Sequence, residues 1–329
     1  MPLLVILGIN GRQGSSVARA FLNAPGWRIR GLTSSPKCRS SEDWRTLGVE
    51  TVHTELNNDE SVLNAFKGVT AVFAVIDFYS ILEDHTVQTL AGIQSMRPED
   101  VAVEREMHYG KNILRAAAAT EGLQRLVLST LWTSPTTQRG RDQAMVKAWL
   151  VRHLEEKYRD LWAKTSYLQP CARMEDCTTM ISRNEDGTLR FGTIVSTPTA
   201  RIPWINVEKD FGRLARTLIE YAKPRQNVAA ISEWLSGGEI CSLIEELSGL
   251  QCSYQVLTPA ELQRSNKIMV DLISPTEPYN YYAGTTLTPD QLAGNYQINL
   301  PMTTFRDYLL ERLPRLLQGM INAGSSGRT

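Results

Sequence analysis

Residues 8–14 read Gly8-Ile9-Asn10-Gly11-Arg12-Gln13-Gly14, a Gly-x-x-Gly-x-x-Gly turn. It is fed by the apolar run Leu3-Leu4-Val5-Ile6-Leu7 and followed at 15–22 by residues with helical spacing. Such a strand, turn and helix start can hold a dinucleotide by its diphosphate. Gly8 permits the tight bend, Gly11 leaves room for a phosphate against the backbone, and Gly14 lets the helix pack closely on the strand. Free amides at the helix start, backed by its dipole, attract the anion. Asn10, Arg12 and Gln13 are the side chains the turn offers to the same ligand.

Further candidates sit at the ends of apolar runs, where open α/β sheets collect ligands. Asp77-Phe78-Tyr79 follows the run at 71–76. Tyr79 is a proton donor or an aromatic platform. Asp77 is a base, a holder of a substrate cation, or simply a carboxylate capping the next helix. Phe78 belongs with the substrate wall. Ser129-Thr130-Leu131-Trp132 ends another run, with Ser129 as a hydrogen-bonding group and Trp132 as pocket wall or core. In Gln169-Pro170-Cys171-Ala172-Arg173-Met174-Glu175-Asp176 the backbone near Pro170 faces the cofactor ring. Glu175 and Asp176 form a carboxylate pair at the cleft mouth, either functional or merely solvated. Tyr281, within Pro278-Tyr279-Asn280-Tyr281-Tyr282, closes over an aromatic ligand or packs between lobes. Cys171 has no basic neighbour to make it a thiolate nucleophile.

The elements that must position these residues alternate. Strand patterns fall at 3–7, 27–33, 49–56, 71–76, 125–130 and 166–170. Between them lie a short helix at 61–66 opened by Asn58-Asp59-Glu60, a long helix at 104–121 ended by Gly122, and a helix at 142–157. This alternation predicts a Rossmann-type α/β fold, a doubly wound parallel sheet with right-handed crossovers. Residues 1–170 form the nucleotide-binding domain. Residues 171–322 are mainly a smaller, interleaved substrate lobe, some of whose segments return to the first domain, and 323–329 are a flexible tail. In that lobe Asn184-Glu185-Asp186-Gly187-Thr188 reads as a hairpin turn, with helices at 207–223, 238–248 and 259–267.

Composition narrows the function. Lys plus Arg is 35 and Asp plus Glu is 35 in 329 residues, so no net charge recommends nucleic acid or a membrane surface as partner. No apolar run is long enough to span a bilayer. Five scattered cysteines and four dispersed histidines suggest a reducing, cytoplasmic setting and no metal site. The partner is a small molecule, and the oligomeric state stays open.

The chain resembles the NmrA-like family, atypical short-chain dehydrogenase/reductases. The likeness is carried by the glycine turn with Gln13 before its last glycine, by Lys67-Gly68-Val69-Thr70-Ala71-Val72-Phe73, and by Glu104 followed by Gly110-Lys111-Asn112. Arg125-Leu126-Val127-Leu128-Ser129-Thr130-Leu131 and Ile202-Pro203-Trp204-Ile205-Asn206-Val207-Glu208-Lys209-Asp210-Phe211-Gly212 complete it. The resemblance implies a Rossmann fold, an NADP or NAD site and a cleft over the nicotinamide end, without fixing one activity.

The second strand ends in Thr33-Ser34-Ser35-Pro36-Lys37, with no acid for a ribose 2′-hydroxyl. Arg12, Lys37 and Arg39 could neutralise a 2′-phosphate, with Ser34 as donor, so NADP is favoured over NAD. Related enzymes often carry Arg where Ser34 stands. Many short-chain dehydrogenases use Tyr-x-x-x-Lys on one helix. Here Lys147 matches the lysine, as ribose ligand, acid or surface charge, but Gln143 fills the tyrosine slot and cannot donate a proton. Two readings follow. One is a tailoring enzyme of specialised metabolism acting on a bulky molecule by imine, enone or carbonyl reduction, or by a redox-neutral cyclisation through an iminium. The other is a non-catalytic NADP(H) sensor that binds a protein partner. Gly11→Trp is expected to abolish dinucleotide binding by calorimetry; an unchanged affinity would remove the site.

Overall fold

A computed structural model describes residues 1–24, 26–35, 37–131, 141–258, 260–261 and 287–326, without the side chains of 141–144, 321 and 323–326. The strands of the first half are β1 (Leu3–Leu7), β2 (Arg28–Thr33), β3 (Glu50–His53), β4 (Ala71–Ala74), β5 (Arg125–Ser129) and β6 (Thr165–Pro170). The helices among them are α1 (Arg12–Leu22), α2 (Arg39–Thr46), α3 (Asp59–Ala65), α4 (Phe78–Leu82), α5 (His85–Gln94), α6 (Pro98–Ala119), α7 (Arg141–Lys157) and α8 (Arg159–Trp162). The later strands are β7 (Ala172–Arg173), β8 (Ile181–Arg183), β9 (Leu189–Thr193), β10 (Arg201–Ile205), β11 (Asn227–Ala230), β12 (Glu233–Ser236) and β13 (Cys252–Val256). The later helices are α9 (Cys177–Met180), α10 (Gly212–Glu220), α11 (Gly237–Ser248), α12 (Pro289–Tyr296) and α13 (Phe305–Ser326).

The main sheet runs β11-β6-β5-β4-β1-β2-β3, and every pairing in it is parallel. β1 and β4 are buried at every residue, as expected of strands covered by helices on both faces. One apolar layer joins Val5, Val72 and Leu128 to Ile113 and Leu150 on α6 and α7. The opposite layer joins Ile6, Phe73 and Val127 to Phe21 on α1 and Leu214 on α10. Strand order reverses between β1 and β4, which opens the crevice where such sheets bind ligands.

The doubly wound parallel sheet agrees with expectation. Asn58 caps α3 by accepting from Ser61 N at 3.1 Å, and the 184–188 turn joins antiparallel β8 and β9. Two differences are instructive. The long helix starts at Pro98, six residues early, because proline suits a first helical turn and Val101 and Ala102 extend the buried face. The predicted helix over 207–223 opens instead with a π-helical turn, Val207–Phe211, before α10. Among the later segments, β11 lies in the main sheet beside β6, a pairing some 60 residues apart in the chain. The later segments also build two three-stranded sheets, β12-β10-β7 and β13-β9-β8, around Trp204, Phe191 and Phe305.

The π turn is where the later half of the chain grips α1. Ser16 Oγ donates to Glu208 O at 3.1 Å and accepts from Gly212 N at 2.9 Å. A Cβ on Gly212 would lie 2.1 Å from Ser16 O. Asp210, fully buried in the same turn, accepts from Ser232 Oγ at 2.9 Å and Thr303 N at 2.8 Å. Gly212→Ala is therefore expected to destabilise the protein by about 1–3 kcal/mol through overpacking against backbone. An unchanged urea midpoint would show that α10 moves away from α1 without penalty.

Candidate functional site

The crevice holds a cavity of about 890 Å³ along the carboxy-terminal ends of β1 to β6. That volume lies within the usual range for cofactor and small-molecule sites. At its centre, Gly8 takes φ +68° and its carbonyl accepts from Gly11 N at 2.9 Å. A Cβ on Gly14 would lie 2.2 Å from Gly8 O, so α1 reaches the strand only because that atom is missing. Gly11 caps α1 without a side chain, which leaves the first amides of the helix facing the crevice. Gln13 borders the cavity too, and its Oε1 is buried with no hydrogen-bond partner among the described residues.

Asn10 ties this turn to the end of β2. Its Nδ2 is 3.0 Å from both Thr33 Oγ1 and Ser41 Oγ, and Ser41 Oγ in turn donates to Ser35 O at 3.0 Å. Thr33 and Ser34 line this end of the cavity, as do Thr54 to Asn57 beyond β3. The cations expected near a 2′-phosphate are not gathered there. Lys37 is exposed and outside the lining, and Arg12 reaches Asp176 at 3.4 Å. Asp176 also holds Arg173 in a two-pronged pair at 2.7 and 3.0 Å, and all three residues border the cavity.

At the other end lie Ser129, Pro170, Asp77, Tyr79 and Lys147, all in the wall. Asp77 caps α4, accepting from Tyr79 N at 3.1 Å, Ser80 N at 3.3 Å and Ser80 Oγ at 2.8 Å. The capping alternative is thus realised, although the carboxylate still borders the cavity. Lys147 is not a surface charge: it is 4% exposed, and its Nζ donates to Ile76 O at 2.7 Å and to Glu106 Oε1. Burial pushes the Glu106 carboxyl up, opposed by the Lys147 charge.

Two expected substrate contacts lie elsewhere. Phe78 is in the core, edge-on to Tyr79 at 5.8 Å, because its ring points into the α4 packing layer and not the crevice. Glu175 also lies outside the cavity lining, where its Oε1 accepts from Glu208 N at 2.8 Å and bolts the segment after β7 to the π turn. Trp132 and Tyr281 lie outside the described residues, as does the side chain of Gln143. Among the described residues no His/Cys/Asp/Glu cluster suits a metal, and no helix is long and apolar enough to cross a membrane.

Sequence reasoning missed α6 as a source of site residues. Arg105 and Tyr109 line the cavity, with Arg105 donating to Thr86 Oγ1 at 2.6 Å and pairing with Asp84 at 3.7 Å. Burial raises the Tyr109 phenol. Charged Glu106 inside the otherwise apolar stripe Ala102, Gly110 and Ile113 is the signal that could have found them.

The NmrA-like family profile matches residues 2–289. The NmrA-like oxidoreductase FrzB of a Cladobotryum species is 23% identical over 278 residues, 78% of this chain and 77% of that protein. Among solved structures, the negative transcriptional regulator NmrA in complex with NADP superposes with a TM-score of 0.71 at 15% identity, covering 97% of each chain. Triphenylmethane reductase of a Citrobacter species, complexed with NADP(H), gives 0.62 at 12% identity, covering 96% of this chain and 99% of that one.

Burial pushes the Glu175 carboxyl above its ordinary value, and its Oε2 has no partner. A raised carboxyl favours the fold below the unfolded value of about 4.3, and that contribution is lost as pH rises through the folded value. Glu175→Gln keeps an acceptor for Glu208 N but does not titrate. Its urea midpoint relative to the native chain is expected to rise as pH climbs above about 4.3 and to level off once the native carboxyl has ionised. Parallel stability curves would contradict the buried charge.

Proposed function

The chain belongs to the NmrA-like family, and from that premise we propose that it binds NADP(H) in the β1–β4 crevice and transforms a bulky small molecule held beyond it. The observation that carries this reading is the glycine cradle: the helix amides at Gly11 to Gly14 face a dinucleotide-sized cavity, and a Cβ on Gly14 would collide with Gly8 O. The cavity continues from that cradle to both ends of the site, as two joined nucleosides require. Thr33 and Ser34 take the adenosine side. The β2 end has no carboxylate to repel a 2′-phosphate, which supports NADP over NAD.

On the other side, Ser129, Pro170 and Lys147 border the nicotinamide half, with Lys147 offering an N–H to the ribose hydroxyls. Nicotinamide, when bound, supplies or accepts hydride. Tyr79 and Tyr109 place two phenols in the same chamber, so a proton for a reduced carbonyl or enone does not depend on position 143. Asp77 borders the chamber with a carboxyl group, which suits a cationic imine or iminium. FrzB, an oxidoreductase by name, supports an enzyme. Likeness to the NmrA regulator supports the second reading, a nucleotide sensor that binds a protein.

Calorimetry should show NADP binding at least tenfold tighter than NAD; equal affinities would overturn the 2′-phosphate assignment. NADPH oxidation across a panel of imines, enones and ketones should occur with at least one compound. Nucleotide binding without turnover of any of them would favour the sensor.

A further inference from the structure

Glu106 belongs to the stripe of α6 that faces inward, together with Ala102, Gly110 and Ile113. Gly110 lies against Leu150 of α7, where a Cβ would meet Leu150 Cδ1 at 2.5 Å. About one turn toward the start of each helix, and so toward the crevice, stand Glu106 and Lys147. They meet as an ion pair with Glu106 1% and Lys147 4% exposed. The Ile76 carbonyl, just past β4, takes a second N–H of the ammonium at 2.7 Å. An ammonium has three N–H donors, and Lys147 forms part of the cavity wall while Glu106 does not.

We propose that Glu106 is a positioning residue: its carboxylate anchors the Lys147 ammonium against the end of β4, so that the remaining N–H meets the nicotinamide riboside half of a bound dinucleotide. The inference rests on the nucleotide reading above. Stability alone explains the pair poorly. Buried ion pairs are commonly replaced by apolar residues without loss, because desolvating two charges offsets their attraction. This one is also incompletely satisfied, since Glu106 Oε2 has no hydrogen-bond partner among the described residues. Other groups facing the pair do not substitute for Glu106. Asp77 is engaged in capping α4, Arg105 is paired with Asp84, and Tyr79 and Tyr109 carry no charge at neutral pH. Glu106 alone among them forms the ion pair with Lys147.

The test compares two ligands on the full chain by calorimetry: NADP, and 2′,5′-ADP, which lacks the nicotinamide riboside half. Glu106→Gln retains an acceptor but removes the charge. It is expected to weaken NADP at least tenfold and 2′,5′-ADP less than twofold. Lys147→Met should do the same, and the combination should be no worse than either alone. Equal weakening of both ligands, or none, would overturn the proposal. If Glu106→Gln does not fold, the apolar pair Glu106→Leu with Lys147→Met carries the comparison; full NADP affinity in that variant, or failure of it also to fold, would overturn the positioning role. A native chain that binds neither ligand would instead remove the nucleotide reading itself, and this proposal with it.

Discussion

The molecule is organised around how closely α1 approaches two pieces of backbone. Gly14 brings it against the bend at Gly8, and Gly212 brings the π turn against Ser16 on α1. Both contacts lie closer than a β-carbon allows. The first holds the amino-terminal end of a helix, with its unpaired amides, over the strand-order switch. The second locks the later half of the chain onto that same helix. A substituent at either glycine would move the helix end and the chamber beside it together.

Charge in the crevice is arranged in pairs. Arg12 and Arg173 share Asp176, Arg105 pairs with Asp84, and Lys147 pairs with Glu106. Most charged side chains of the wall therefore come already matched. The helix amides, which carry only partial charge, remain open to an anion. Fixed dipoles of this kind need no reorganisation when a diphosphate arrives. Matched ion pairs at the rim shape the site without competing strongly for the ligand.

Capping and packing explain why neighbouring residues have different fates. Asp77, Phe78 and Tyr79 are consecutive, yet Asp77 caps α4, Phe78 enters the core and Tyr79 borders the cavity. A helix turns by about 100° per residue, so Phe78 at the start of α4 faces the core while Tyr79 beside it reaches the cavity wall. The same geometry places Arg105 and Tyr109, four residues apart, on the cavity side of α6.

Local pattern by itself determined the glycine turn, the alternation of strands and helices, and the parallel sheet they form. These signals reside in contiguous residues: an apolar strand, a bend without side chains, an amphipathic helix. Strand ends and the family resemblance also singled out Ser129, Pro170 and Lys147, which line the crevice. Only tertiary structure decided that Lys147 is buried against Glu106, that Arg12 turns to Asp176, that Glu175 serves the π turn, and that β11 closes the sheet. Each of those is a contact between segments at least 33 residues apart in the chain, Glu175 and Glu208 being the nearest such pair. Periodicity describes which face of an element is apolar. It carries no information about which distant charge will meet that face, because the packing distance between elements, set here by glycines at the contacts, selects the partner.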